Sequence, residues 1–212
     1  MQLPCCSKKY LFSIALSLLT YCVSAQGHFG FQGGVNFNGT CNNKVVYPEG
    51  NNGFHLGMFV VIELKNNFYL KPALLYTQRG IDISHSSLGY ILYPHEVYSI
   101  EEVKFHYLQV PIELNYRVPI GPVSVDAIAG AFVSLGLNAK GCDVNYFESQ
   151  DGEDAMFKRF DAGFRYGLGV HFFKHVGLSA YCDQSLVKVF NDKEDNEYFN
   201  HVSYQVALSY TF

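Results

Sequence analysis

Tryptophan is absent from the 212 residues, and charge is scarce: Asp, Glu, Lys and Arg together make up 16% of the chain, against roughly 25% in an ordinary soluble domain. Long apolar runs are missing too. Beyond the N-terminal segment no stretch reaches the about 18 apolar residues that a transmembrane helix needs. If the remainder crosses a membrane it must do so as a closed barrel, because lipid offers no partner to unpaired backbone groups. Basic residues are outnumbered, 15 to 19. Nothing in that balance suggests the basic face by which nucleic acid is bound, and no nucleic-acid partner is expected. What is abundant is Gly, Phe and Tyr within a composition that is 49% hydrophobic. The combination points to a β protein with an unusual solvent.

The first residues read separately. Lys8 and Lys9 precede an apolar run from Tyr10 to Val23, and Val23 and Ala25 occupy the −3 and −1 positions of a small-residue cleavage site. This is the layout of a secretory signal peptide, 1–25, leaving a mature domain of 26–212. An uncleaved anchor helix fits less well, since about 14 apolar residues are short for a span. A lipoprotein reading at Cys22 meets the bulky Tyr21 just before it. Cleavage removes two lysines and no acid, lowering the net charge from −4 to −6. The mature cysteines are then Cys41, Cys142 and Cys182. Three cysteines exclude a disulfide-dense scaffold, although one Cys41–Cys142 bridge between loops remains open.

Eight segments alternate apolar and polar residues with period two, which predicts strands with two unlike faces. In the last, Val202, Tyr204, Val206, Leu208, Tyr210 and Phe212 share one face and Ser203, Gln205, Ala207, Ser209 and Thr211 the other. The fourth sets Leu108, Val110, Ile112, Leu114, Tyr116 and Val118 against Tyr107, Gln109, Pro111, Glu113, Asn115 and Arg117. The sixth sets Phe160, Phe164, Tyr166 and Leu168 against Asp161, Gly163, Arg165 and Gly167. The second and third follow the same rule over 54–64 and 70–79, and the first, fifth and seventh are placed near 28–38, 123–138 and 176–188. Connections alternate strictly between short (Lys65–Asn67, Pro119–Pro122, about two residues near Lys174) and long (about 39–52, 81–102, 140–158 and 189–200). Tight turns at one end and long loops at the other mark an up-and-down transmembrane barrel. The predicted fold is therefore all-β, an eight-stranded antiparallel up-and-down transmembrane β-barrel.

Alternation alone does not say which face is outside. A soluble lipocalin-like, ligand-binding barrel would put the apolar face inward and a Lys- and Glu-rich face into water. Here the polar face carries Gly, Ser, Asn, Gln, Thr and single charges, which suit the narrow interior of an eight-stranded barrel. The apolar face is unbroken, as a lipid-facing band requires. Outer-membrane lipid is thus the expected partner of that face.

Several segments also resemble the PorT-like outer-membrane β-barrel family of Bacteroidetes. Phe68 to Gly80 and Tyr107 to Tyr116 are similar to two successive segments of that family, and Asp161 to Gly169 to its glycine-rich sixth strand. Ala73 stands where many relatives carry Glu. The terminal Phe212 resembles the aromatic end through which the barrel-assembly machinery recognises such chains. The resemblance implies the fold over nearly all of the mature chain and leaves the activity open.

Lumen charges should be paired, because an isolated buried charge is costly. Counting back from the turns places Arg165 near Asp183, Arg117 diagonal to Asp126, and Glu63 near Lys71, so that the lumen is plugged. No compact metal or catalytic motif appears. His85, His95, Glu96, Glu101 and Glu102 match no ligand spacing, and the acidic Asp151, Glu153 and Asp154 match no calcium loop. Asn38-Gly39-Thr40 reads as a turn leaving the first strand. There is no Gly-x-Ser-x-Gly elbow, and His171 and His201 fall near opposite ends of their strands. No cofactor or metal and no catalytic residue is expected, and an outer-membrane lipid-modifying enzyme is the least favoured function. The remaining candidates are a binding or assembly module and a structural component of the envelope. The contact surface is then the second long loop, with Tyr90, Tyr93, His95, Glu96 and Tyr98, since a cluster of aromatic side chains on a loop hints at a partner.

Overall fold

The computed structural model describes residues 27–42, 45–47, 52–83, 101–141, 144–145, 158–173, 175–188 and 200–212. Eight long strands carry the fold: β1 (Gly27–Asn42), β2 (Asn52–Glu63), β3 (Phe68–Ile83), β4 (Glu101–Ile120), β5 (Val123–Gly141), β6 (Phe160–Phe172), β7 (Val176–Lys188) and β8 (Asn200–Thr211). Each pairs antiparallel with its sequence neighbour, and β8 pairs with β1, from Gly30 opposite Thr211 to Cys41 opposite Asn200. The sheet is thereby a closed eight-stranded barrel, which leaves none of the eight with an unpaired edge. Two short strands, Val45–Tyr47 and Val144–Asn145, extend the ladders of β1 and β5.

The turns are local chemistry. Asn66 and Asn67 both take positive φ (60° and 65°), the primed-turn conformation that joins twisted strands and that Asn tolerates better than most residues. Gly121 has φ 63°, and pairing of Ile120 with Val123 shortens that connection to Gly121-Pro122. The expected four-residue turn over 119–122 is thus too long: Pro119 and Ile120 still belong to the ladder. Phe172 pairs with Val176, so the third connection is short as well, and these three lie at one end of the barrel, the turn end. The strands reach further than expected at the other, loop end. Asn38-Gly39-Thr40 is ladder, opposite Ser203, Val202 and His201, and not a turn, because β8 continues to supply partners.

The faces are settled by exposure. Phe31, Leu56, Leu74, Ile112, Leu114, Val133, Phe164, Leu168, Tyr204 and Leu208 are exposed on the outer surface. Gln32, Asn36, Thr77, Gln109, Glu113, Ser134, Arg165, Asp183 and Gln205 are buried inside. A soluble barrel requires the opposite arrangement. The interior is not uniformly polar: Phe59, Ala73 and Leu75 form one apolar cluster, and Ile128, Tyr181 and Ala207 another. These bulky side chains share the narrow bore with the charged ones, as expected for eight strands.

Candidate functional site

Chemistry-bearing residues gather inside the barrel because period two sends every second side chain there. At the centre stands Arg165 of β6, in register with Asp183 of β7. Its Nε donates to Asp183 Oδ1 at 2.6 Å and its Nη2 to Oδ2 at 2.7 Å. The remaining donors go to Glu113 Oε1 at 3.0 Å and Gln205 Oε1 at 3.1 Å, and the guanidinium lies over the Tyr181 ring at 4.8 Å. Asp183 Oδ2 further accepts from Gln109 Nε2 at 2.8 Å and Gln205 Nε2 at 2.9 Å. One arginine thus joins four strands through a bidentate, charge-assisted fork.

Two further cations complete the network. Lys71 Nζ lies 3.6 Å from Glu113 Oε2, donates to the Tyr181 hydroxyl at 3.2 Å and sits over the Phe59 ring at 4.4 Å. Arg79 Nη1 bonds Asp161 Oδ2 at 2.8 Å, and its Nη2 is 3.7 Å from Asp183. Asp161 also accepts from Ser185. Among the described residues, the mid-barrel charges are therefore balanced: Lys71, Arg79 and Arg165 face Glu113, Asp161 and Asp183. Beside them His55 and Asn36 share a 2.6 Å bond, and Asn36 Nδ2 donates to Thr77 Oγ1 at 2.9 Å.

Nearer the turn end, Arg117 Nε and Nη2 hold the two carboxylate oxygens of Asp126 at 2.7 and 2.8 Å. His171 Nε2 is 2.9 Å from Asp126 Oδ2, and Tyr69 stacks under the guanidinium at 4.4 Å. Below this triad a vestibule of about 870 Å³ opens, lined among others by Glu63, Tyr69, Arg117, His171 and His175.

The expected lumen pairs meet these positions unequally. Arg165 faces Asp183. Arg117 faces Asp126 directly and not diagonally, since the two-residue turn shifts the count. The Glu63–Lys71 pair is corrected. Glu63 opposes Tyr69 at the mouth, whereas Lys71 opposes Glu113 on its other neighbour strand. Each strand has two neighbours, and counting along one hairpin considers only one of them. The same blindness hides Arg79–Asp161, which links β3 to β6, strands far apart in sequence. Tyr90, Tyr93, His95, Glu96 and Tyr98 lie outside the described residues, as do His85, Cys142, Asp151, Glu153 and Asp154. Among the described residues no three His, Cys, Asp or Glu side chains could hold one metal ion, and Cys182 is a free, buried thiol.

This arrangement predicts a lumen blocked to ions. Arg79, Tyr107, Gln109, Glu113 and Arg165 are among the largest fully buried side chains, and mutual pairing leaves them no reason to move apart. Purified protein in a planar bilayer is expected to show no stable porin-scale conductance. A steady open level of that size in repeated single-channel records would contradict the packing.

A family model described as "Outer membrane protein beta-barrel domain" matches residues 24–191. Among solved structures, the chain is similar to Ail, the attachment invasion locus protein of Yersinia pestis, determined in complex with the heparin analogue sucrose octasulfate. Identity there is 17%, over 88% of this chain and 99% of that one, with a TM-score of 0.46. It is similar to Neisserial surface protein A at 15% identity, over 87% and 97% of the two chains, TM-score 0.46. With the translocator domain of the autotransporter NalP from Neisseria meningitidis it shares 9% identity over 96% of each chain, TM-score 0.36. No curated protein matches the chain in sequence.

Proposed function

The chain belongs to the outer membrane protein β-barrel domain family, and from that membership we propose that it is a non-enzymatic envelope component that works through its long loops. It is a small outer-membrane β-barrel whose apolar wall contacts lipid. The observation that carries the proposal is the commitment of the barrel itself. The outer face is a continuous apolar surface, and the buried charges are engaged with one another. Such positions have little freedom for recognition, whereas loops on a rigid scaffold are where binding residues usually sit.

In this reading the turn end faces the periplasm and the loop end the exterior, the orientation usual for such barrels. Residues 1–25 are an export signal removed after Ala25, and the finer affiliation is with PorT-like barrels of Bacteroidetes. Phe212 is the mark read by the barrel-assembly machinery. Its exposed ring stacks on Phe29 and meets Tyr210 edge-on, and its backbone N–H donates to Phe29 at 2.9 Å. A protein or surface ligand bound by Tyr90, Tyr93, His95, Glu96 and Tyr98 is the proposed partner. The test replaces Ser87 to Val97 with a short Gly-Ser linker and scores membrane insertion and cellular phenotype separately. Normal insertion with loss of phenotype is expected. Normal insertion with an unchanged phenotype removes this loop as the site.

A further inference from the structure

The vestibule at the turn end lies apart from the long loops, and its chemistry is one-sided. Around its wall stand His28 of β1, Glu63 of β2, Tyr69 of β3, Arg117 of β4 and His171 of β6, with His175 immediately before β7. Its volume of about 870 Å³ falls within the roughly 300–1,000 Å³ of small-molecule sites.

Hydrogen bonding decides which ring nitrogens remain for a ligand. The carbonyl of Thr211 can only accept, so His175 donates to it through Nδ1 at 2.8 Å and presents Nε2 as an acceptor. Asp126 is gripped on both oxygens by Arg117 and is therefore a carboxylate. His171 donates to it through Nε2 at 2.9 Å, and the neutral ring keeps its lone pair on Nδ1. An anion is poorly served here. The Arg117 guanidinium is engaged by Asp126, and the Tyr69 ring covers one of its faces at 4.4 Å. Formal charge points the same way, since one cation, Arg117, stands against two carboxylates, Asp126 and Glu63.

The rim adds ring faces. Phe173 and Phe212 are both exposed and both line the vestibule. Phe173 takes a φ of 50°, the left-handed region that costs an ordinary residue about 1–2 kcal/mol. Gly or Asn would relieve that cost, and neither offers the aromatic face that attracts a cation.

We propose that the turn-end vestibule binds an alkylammonium group, with Glu63 as its counter-charge, His171 Nδ1 and His175 Nε2 as acceptors, and Phe173 and Phe212 as aromatic walls. An ammonium carries donors and no acceptor, the complement of this lining. A free aliphatic diamine and the lysine side chain of a peptide share that chemistry. A peptide would enter by its side chain, since the closed ladder has no free edge for strand addition. The site does not depend on which side of the membrane the turn end faces.

The test uses the protein purified from membranes in a neutral detergent and titrated calorimetrically with cadaverine, with Nα-acetyl-lysine amide and with glutarate. Saturable binding of an amine and none of glutarate is expected, and the tighter of the two amines identifies the source. Glu63→Gln should weaken amine binding about tenfold, the worth of one hydrogen bond to a charged group, and Glu63→Lys should abolish it. Phe173→Asn should weaken it about threefold through the lost ring face while leaving the barrel at least as stable, which separates a binding loss from a folding loss. Lys65→Gln, in the β2–β3 turn outside the lining, should change nothing. No saturable binding of either amine overturns the proposal, as does glutarate bound as well as the amines. Undiminished amine binding in both Glu63 variants, with heat-modifiable mobility intact, overturns it too.

Discussion

Replacing Arg165 with methionine is expected to destabilise the barrel by about 3–5 kcal/mol, the cost of stranding buried charge by removing one partner. Both Asp183 and Glu113 lose their closest cation, and both are essentially inaccessible to water. Arg79 is only a distant substitute, near Asp183 but without a hydrogen bond to it. Its Nη2 is already 3.7 Å from Asp183, and its Nη1 is held by Asp161 at 2.8 Å. Lys71 remains beside Glu113 but reaches only one carboxylate. Arg165→Lys should recover only part of the loss, since a point charge cannot reproduce the fork to Asp183 together with the bonds to Glu113 and Gln205. Adding Asp183→Asn to Arg165→Met should recover stability by removing one of the stranded charges. The measurement is urea-dependent folding into phosphatidylcholine vesicles, followed by heat-modifiable gel mobility. A midpoint for Arg165→Met equal to wild type would show that the network does not hold the barrel together.

The second large effect is expected at the closing seam. Gly34 of β1 lies opposite Ala207 of β8. A Cβ built on Gly34 would stand 1.9 Å from the carbonyl oxygen of Val206, 2.8 Å from the Ala207 Cα and 2.8 Å from His55 Cε1. Two of these neighbours are backbone, which cannot move without parting β1 from β8. Gly34→Val should therefore fail to close, because the ladder between the first and last strands is what converts the sheet into a barrel. Its next neighbour supplies the control. A Cβ on Gly33 meets His55 O at 3.5 Å and Leu56 Cβ at 3.8 Å, ordinary contact distances, so Gly33→Ala should stay within about 0.5 kcal/mol of wild type. Folding yield of the two variants in the same vesicles decides the matter. Equal yields would mean that the seam opens and recloses around the added side chain.

Why a strand count was readable and a charge partner was not follows from the range of the forces involved. Leu108 to Val118 alternate with Gln109 to Arg117 because one face meets lipid and the other a filled bore, and that contrast is written at every second residue. Arg165–Asp183 and Arg117–Asp126 join consecutive strands, so counting from a turn brings each partner within reach, and the error at Arg117 is only the length of one turn. Lys71 failed because it chose β4 over β2, where Glu113 offers a carboxylate at the same level. Nothing local marks that choice. Leu75 lies on the inner face that alternation with Lys71 and Thr77 assigns it, but Phe59 and Phe132 inside the barrel are harder to place, since bulky apolar residues on the inner face depart from the simple polar rule.

By itself the sequence determined that the chain is a small β-barrel with an apolar exterior, eight strands and alternating short and long connections. Those features are repeated along the chain, with period two in the strands and turn chemistry between them. Only the tertiary structure decided which interior groups meet. Arg79 and Asp161 are separated by 82 residues and come to 2.8 Å because closure sends β3 and β6 side chains into one narrow bore. Contacts across a bore depend on strand number, stagger and side-chain reach together, and no stretch of sequence carries all three.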